Sequence, residues 1–409
     1  MIQKYGGSSV ADAERIRRVA ARIVDEKRRG NAVVVVVSAR GDTTDELMGL
    51  AREISPHPPE RELAMLLTAG ERISMALLGM AITELGEPAV SFTGSQAGII
   101  TDNSHTKAKI LEVRADRLRA ALDMGQVVIV AGFQGVSREQ DVTTLGRGGS
   151  DLTAVALASA LRADVCEIYS DVDGVYTADP RLVPNARKLH AVSYEEMLEM
   201  ASTGARVLQL RSVEFARNHG VTLHVRSSFE DTPGTWIKEE DERMEQAIIS
   251  GITHDTSEAK ITLLSVPDRP GIAAHVFGAL AEADVNVDMI IQNTSEQGHT
   301  DISFTLPKED LAKANRIIDQ VSEEIGARGS TCDENIAKVS LVGAGMRTHP
   351  GVAAKMFRVL AENSINIEMI STSPIKIACV VRGDQVGQAV RALHEAFNLE
   401  EEALAREHA

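Results

Sequence analysis

The sequence predicts an α/β layer architecture over roughly the first 230 residues, followed by a duplicated βαββαβ module, and three patterns point to it. Short β-branched runs at Ala32–Ser38, Gln126–Gly132 and Val165–Ser170 are apolar on both parities, as strands buried on both faces of a parallel sheet should be. Amphipathic stretches lie between them. Asp12–Arg29 sets Ile16, Val19, Ala20, Ile23 and Val24 on one stripe with charges opposite, and Glu60–Leu85 behaves alike. Past the polar stretch Phe229–Glu245 the pattern changes, and Pro270–Ile290 aligns with Pro350–Ile370 at a constant offset of 80 with eleven of 21 positions identical. Each copy reads strand (Ile261–Val266; Val339–Val342), Pro-Gly turn, helix, strand, then a further strand and helix. The expected boundaries are an α/β domain at 1–230, a connector at 231–258, and modules at 259–333 and 334–409.

Composition limits the partners. A net charge of −16 and a pI near 5.2 leave no basic stripe for a nucleic-acid backbone and would repel an anionic membrane. The longest apolar run, around Ala32–Val37, is far short of the roughly 18 residues of a membrane span, and no apolar segment follows a basic start. A cytoplasmic protein acting on small molecules is expected. Cys166, Cys332 and Cys379 show no paired spacing, which indicates neither a disulfide framework nor a zinc site and leaves them as buried apolar residues.

No Walker-type loop is present, so a nucleotide must be held in another way. Lys4-Tyr5-Gly6-Gly7-Ser8-Ser9 stands between a short strand and the helix at Asp12, where glycines admit a polyanion, a helix N-terminus favours negative charge and Lys4 adds a cation. Ser38–Asp45 follows the valine-rich strand, at a strand end where open α/β sheets put ligands. Leu66–Arg72 places Glu71 and Arg72 inside an apolar helix, Thr144–Asp151 packs glycines around Arg147, and Tyr169–Arg181 follows a buried strand with Asp171, Asp173 and Asp179. Each has an ordinary reading as a cap, a turn or a solvated charge.

Together and in this order, these segments resemble the aspartokinases, and the repeated units resemble ACT domains, modules that bind amino acids at subunit interfaces. The resemblance covers essentially the whole chain. It implies a three-layer α/β/α, carbamate-kinase-like catalytic domain plus two ferredoxin-like α+β ACT domains, and transfer of the ATP γ-phosphoryl group to the β-carboxylate of L-aspartate. That carboxylate, with a pKa of about 3.9, is already an anionic nucleophile, so the site has to supply cations and positioning rather than a general base. By the same resemblance Lys4 bridges phosphates wrapped by Gly6, Gly7 and Ser8. Arg147, in the Gly148-Gly149-Ser150 turn, clamps the substrate α-carboxylate, and Glu71 pairs with its ammonium group. Ser38, Thr44 and Asp151 are neighbouring contacts, with Lys4, Arg147 and Asp151 as the catalytic set. Ser170, Asp171, Tyr176, Arg181 and Arg206 line the nucleotide side. Mg²⁺ travels mainly on ATP, and no protein metal site is expected.

The resemblance also implies regulation. Asp268, Gly271, Ala273 and Gln292 of the first ACT unit, with Asn366 and Ile367 of the second, would bind threonine between subunits, and Asp288 and His349 would serve lysine. A homodimer is expected, or an α₂β₂ tetramer whose smaller subunit starts near Met244. Departures from the family are Arg40 for a usual methionine, Leu152 for the first threonine of GGSDTT, and Arg206 for a lysine. The first strand also opens very near the start of the chain, which leaves lost residues or a misassigned start open. Two rival readings stand beside this one: a kinase of the same fold for another acid such as glutamate, and a silent amino-acid sensor.

Overall fold

Val34–Val37 is four valines, all buried, and a strand that apolar on both faces needs a layer of helices on each side. The structure, a computed structural model, describes residues 1–240, 248–293 and 298–400; Met244 and any internal start there lie outside the described residues. The chain divides into two units. The first takes Met1–Tyr176, Lys188–Ser202 and the described residues from Arg206 to 240; the second takes Thr177–Arg187, Thr203–Ala205 and those from 248 onward.

In the first unit an eight-stranded sheet runs in the order Ala191–Ser193, Thr235–Lys238, Leu223–Ser227, Cys166–Ser170, Ile2–Tyr5, Val34–Val37, Val127–Ala131, Ala89–Phe92. From Leu223–Ser227 onward all neighbours are parallel, while Thr235–Lys238 runs against Leu223–Ser227. On one face Tyr5, Val35, Val37, Val127, Ile129 and Tyr169 pack on the helices Ala13–Arg28 and Ala69–Glu84. Asp12 caps the former by accepting from Arg15 N at 2.9 Å. The other face receives the helix Gly149–Leu161, whose residues through Ala158 are all buried. The result is a three-layer α/β/α stack.

The stretch expected as one helix over Glu60–Leu85 is two, Glu60–Leu67 and Ala69–Glu84, separated at Thr68, whose hydroxyl donates to Met65 O at 3.0 Å. Taken as one run of 25 residues it contains an 18-residue window apolar enough, at mean hydropathy 1.4, to resemble a membrane span; here Leu78 and Ile82 are fully buried in the core of the unit. A second sheet, Ile110–Val113, Ile99–Thr101, Gln134–Ser137 and Val142–Thr144, forms an arm not anticipated from the sequence.

In the second unit the first module is complete within its own stretch: strands Ile290–Gln292, His299–Pro307, Glu258–Pro267 and Gly329–Asp333, with helices Ile272–Glu282 and Leu311–Ile325. The other module has the order Met369–Ser373, Lys376–Arg382, Ile336–Val342, Gly251–Asp255. Its edge strand thus comes from before the first module, which is inserted into the second. The 231–258 stretch read as a connector therefore contains two strands, Thr235–Lys238 and Gly251–Asp255. Of the cysteines, Cys166 and Cys379 are buried, and burial pushes the Cys379 thiol up to about 12. Cys332 corrects the expectation: it is exposed, because Gly329–Asp333 is an edge strand and its pleat turns that side chain to solvent.

Candidate active site

Parallel strands end together, and the loops after Ile2–Tyr5, Val34–Val37 and Cys166–Ser170 meet at one edge of the sheet. Lys4 lies in register with Val36 and Ile168, on the face covered by Gly149–Leu161. Its Nζ meets Asp151 Oδ1 at 2.6 Å, both side chains about nine-tenths buried. A desolvated pair of this kind holds the lysine at the strand end, and removing either partner strands the other. Gly6 is extended and donates to Tyr169 O at 3.1 Å, after which Gly7–Val10 forms a short 3₁₀ turn. A Cβ on Gly7 would lie 2.7 Å from Ala39 O, so glycine lets this turn press against the Ser38–Asp42 loop. Arg15 Nη1 fixes the turn from behind by donating to Ser8 O at 2.7 Å.

Ser38 N continues the ladder by donating to Tyr5 O at 3.1 Å, and Thr44 sits half-buried in the first turn of the helix Thr43–Ile54. Glu71 is 3 % exposed, its Oε1 accepting from Ala39 N at 3.2 Å and its Oε2 buried without a partner. Burial pushes this carboxyl up to about 7, against the pull of the backbone N–H groups of Glu71 and Ala39. Glu167, also buried, makes the instructive contrast. Burial raises it too, but His224, Gln3, Arg226 and Tyr169 together pull it down to about 2. One acid is partnered by several side chains of the fold; the other keeps one buried oxygen unpaired.

The arm hairpin Gln134–Ser137/Val142–Thr144 leads into Gly146-Arg147-Gly148, where Arg147 is exposed and Gly148 has φ +72°, a left-handed turn that a side chain disfavours. Gly149, Ser150 and Asp151 start the following helix and are buried. Leu152, whose identity departs from the family, points into an apolar cluster with Ala108, Leu145, Ile110 and Phe215. The neighbouring Thr153 does the bonding, accepting from Phe133 N at 3.1 Å and donating to Gly149 O at 2.8 Å. Arg40 does not extend freely: its Nη2 donates to Ala11 O at 2.9 Å.

On the other side of Lys4, Ser170 Oγ accepts from Val172 N at 3.3 Å, Asp171 is exposed, and Tyr176 OH donates to Asp173 Oδ1 at 2.9 Å. Burial, with Asp173 alongside, pushes the Tyr176 phenol up to about 12. The motif divides there. Arg181 belongs with the second unit, its exposed guanidinium bonded to Asp179 at 2.7 Å, whereas Arg206 is an exposed residue of the first.

Two residues of this region escaped sequence reasoning. Gln209 lies directly over Gly148, where a Cβ would overlap its side chain, and Arg211 donates to Leu145 O at 2.7 Å and Ala108 O at 3.0 Å. A single glutamine and an arginine on an ordinary helix give no sequence signal.

In the second unit Asp268, Gly271, Ala273, Gln292 and Asn366 are exposed and Ile367 is half-buried, with Gly271 preceding its helix at φ +96°. His349 Nδ1 lies 2.8 Å from Gly345 O. Asp288, half exposed, is paired with Lys338. No cluster of three or more metal-ligating side chains occurs among the described residues.

What this edge of the first unit offers is charge and shape for a polyanion beside a small molecule bearing both a carboxylate and an amine, and that defines a kinase acting on an amino acid. Residues 1–227 match the model of the amino acid kinase family, and 252–321 and 339–397 match that of the ACT domain. The aspartokinase of Mycolicibacterium smegmatis is 61 % identical over 404 residues, 98 % of this chain and 96 % of that one. The structure of E. coli aspartokinase III in complex with aspartate and ADP, in its R-state, aligns with TM-score 0.81 at 27 % identity over 97 % of this chain and 99 % of that one. The same enzyme with lysine and aspartate, in its T-state, gives 0.75 at 27 % identity over 98 % and 99 %. The chain belongs to the aspartokinases.

Proposed function

We propose that the protein transfers the γ-phosphoryl group of ATP to the β-carboxylate of L-aspartate, giving 4-phospho-L-aspartate and ADP. A carboxylate oxygen attacks the γ-phosphorus as the bond to the bridging oxygen breaks, and no proton has to move. The obstacle is repulsion between two anions, and Lys4, Arg147 and the N–H groups of Gly6, Gly7 and Ser8 answer it. Arg147 takes the α-carboxylate beside Gly148, Gly149 and Ser150, with Ser38, Thr44 and Asp151 around the acceptor. Ser170, Asp171, Tyr176 and Arg206 attend the nucleotide. Mg²⁺ enters with ATP, held chiefly by phosphates and water.

The observation that supports amino-acid substrates most directly is Glu71, a buried carboxylate with one unpaired oxygen that an ammonium group would satisfy. The test is turnover with ATP, Mg²⁺ and either L-aspartate or L-glutamate, the acyl phosphate being trapped by hydroxylamine. Hydroxamate from aspartate alone is expected; hydroxamate from glutamate, or none from protein that binds ATP, would replace this reading.

Regulation is proposed to reside in the ACT modules, where the turns at Gly271 and Gly351 open exposed helix starts suited to an amino-acid carboxylate. Threonine would bind through Asp268, Gly271, Ala273, Gln292, Asn366 and Ile367, and lysine near His349 and Asp288. An effector inhibits by favouring a less active arrangement. A dimer or α₂β₂ assembly and a cytoplasmic location complete the proposal.

A further inference from the structure

The reaction needs two anion-binding loops to act as one, and the structure ties them together through a side chain to which no role has been given. The loops are Gly6–Ala11, after the first strand, and Ser38–Asp42, after the second. They are neighbours because Tyr5 and Val37 are register partners. Gly41 N donates to Gly7 O at 3.0 Å, and the missing Cβ of Gly7 leaves room for Ala39 O. Across the far end of this contact reaches Arg40, whose Nη2 donates to Ala11 O at 2.9 Å. Its Nε is buried without a partner, and it forms no ion pair among the described residues. An arginine spending its fork on a backbone carbonyl, with its charge not neutralised, holds the second loop to the first and leaves positive potential between them.

We propose that Arg40 is a positioning residue that couples the phosphate loop to the acceptor loop, so that a nucleotide on one strengthens the binding of aspartate at the other. The proposal rests on the functional reading above, which assigns phosphates to Gly6–Ser8 and aspartate to Ser38 and Thr44. An anion that orders Gly6–Ala11 also fixes Ala11 O, and through Arg40 the backbone at 38–42. Coupling between ligands of this kind typically amounts to about fivefold or more in affinity.

The experiment is calorimetric titration of aspartate into the full chain with and without saturating Mg·ADP, for the native protein, Arg40→Met, Arg40→Lys and the control Arg52→Met. Arg52 is an exposed residue of the helix Thr43–Ile54, away from both loops in sequence. The native affinity for aspartate is expected to rise about fivefold or more with Mg·ADP. That ratio should fall to within twofold of unity in Arg40→Met, recover in part in Arg40→Lys, which keeps charge and one donor direction, and stay native in Arg52→Met. A merely structural arginine would weaken both ligands in parallel and leave the ratio alone, and that result overturns the proposal. If Arg40→Met does not fold, Arg40→Lys decides: a ratio equal to the native one overturns it, a reduced one supports it. Failure of native protein to bind Mg·ADP or aspartate singly would instead sink the functional reading itself, and the coupling with it.

Discussion

Glu71 shows how much one carboxylate can say once its surroundings are known. Glu71 and Glu167 are both buried in the first unit, and the lack of a second partner, rather than burial, separates the one from the other. With its carboxyl raised to about 7, Glu71 is partly protonated at neutral pH in the free protein. A raised folded-state value means that its contribution to stability is full below the ordinary carboxyl range and is lost as pH rises through about 7. Binding an ammonium group needs the opposite form. The expected outcome is a kcat/KM for aspartate that climbs as pH rises through about 7 and then levels. In Glu71→Gln that inflection should vanish and the aspartate KM rise roughly 10–100-fold, since a hydrogen bond to a charged group contributes about 1.5–3 kcal/mol. An unchanged inflection in steady-state pH profiles would assign it to another group. The sequence placed Glu71 in an apolar helix, which already marks an acid as unusual; that only its Oε1 finds a partner is tertiary, since that partner, Ala39 N, comes from 32 positions away.

Among elements, the Gly146–Gly149 turn is held by another segment. Arg211 ties Leu145 and Ala108 to the helix Leu210–His219, and Gln209 closes over Gly148. Arg147, exposed and flanked by left-handed glycines, has little else to set its direction. Arg211→Met should therefore lower kcat/KM for aspartate about tenfold. Loss of two hydrogen bonds from a solvated side chain would cost about 1–2 kcal/mol of stability, read as a modest fall in Tm. A large loss of stability with unchanged kinetics would make Arg211 a fold residue only. The helices and buried strands of this unit were legible, because a stripe of apolar residues at 3.6-residue period or an unbroken valine run is a local pattern. The break at Thr68 and the four-stranded arm were not. The arm's strands are only three or four residues each, too short to show a period.

At the scale of the whole molecule, the duplicated modules answer one another. Ala259-Lys260-Ile261-Thr262-Leu263 and Ala337-Lys338-Val339-Ser340-Leu341 open equivalent strands, and Asp288 and Glu368 are equivalent acids of the repeat. Each module's lysine pairs with the other's acid, Lys338 with Asp288 and Lys260 with Glu368, around a small apolar cluster of Met289, Met369, Ile336 and Val380. The exchange is not fully symmetric. Lys338 is 2 % exposed and also meets Glu258 at 2.7 Å, a second carboxylate with no counterpart in the other module, where Ile336 takes that place. Burial would lower the Lys338 ammonium, but Glu258 and Asp288 outweigh it and raise it. Removing that ammonium strands a buried Glu258. Lys338→Met is thus expected to cost about 3 kcal/mol or more, seen by calorimetry as an earlier transition, with part of the loss recovered in Lys338→Met/Glu258→Leu. No recovery in the double variant would place the cost in packing.

What the sequence determined by itself is whatever is written in contiguous residues: the buried strands, the amphipathic helices, the glycine turns with their charged neighbours, and a repeat read by laying one stretch over another. Only the tertiary structure decided which distant residues share a site. Lys4 meets Asp151 across the sheet face, Thr177–Arg187 leaves the first unit for the second, and Gly251–Asp255 completes a module whose other strands begin at Ile336. The physical reason is that a period or a cap is fixed by neighbours along the chain. A sheet's strand order and the partner of a buried charge follow from burying all those faces at once, and no local stretch encodes that.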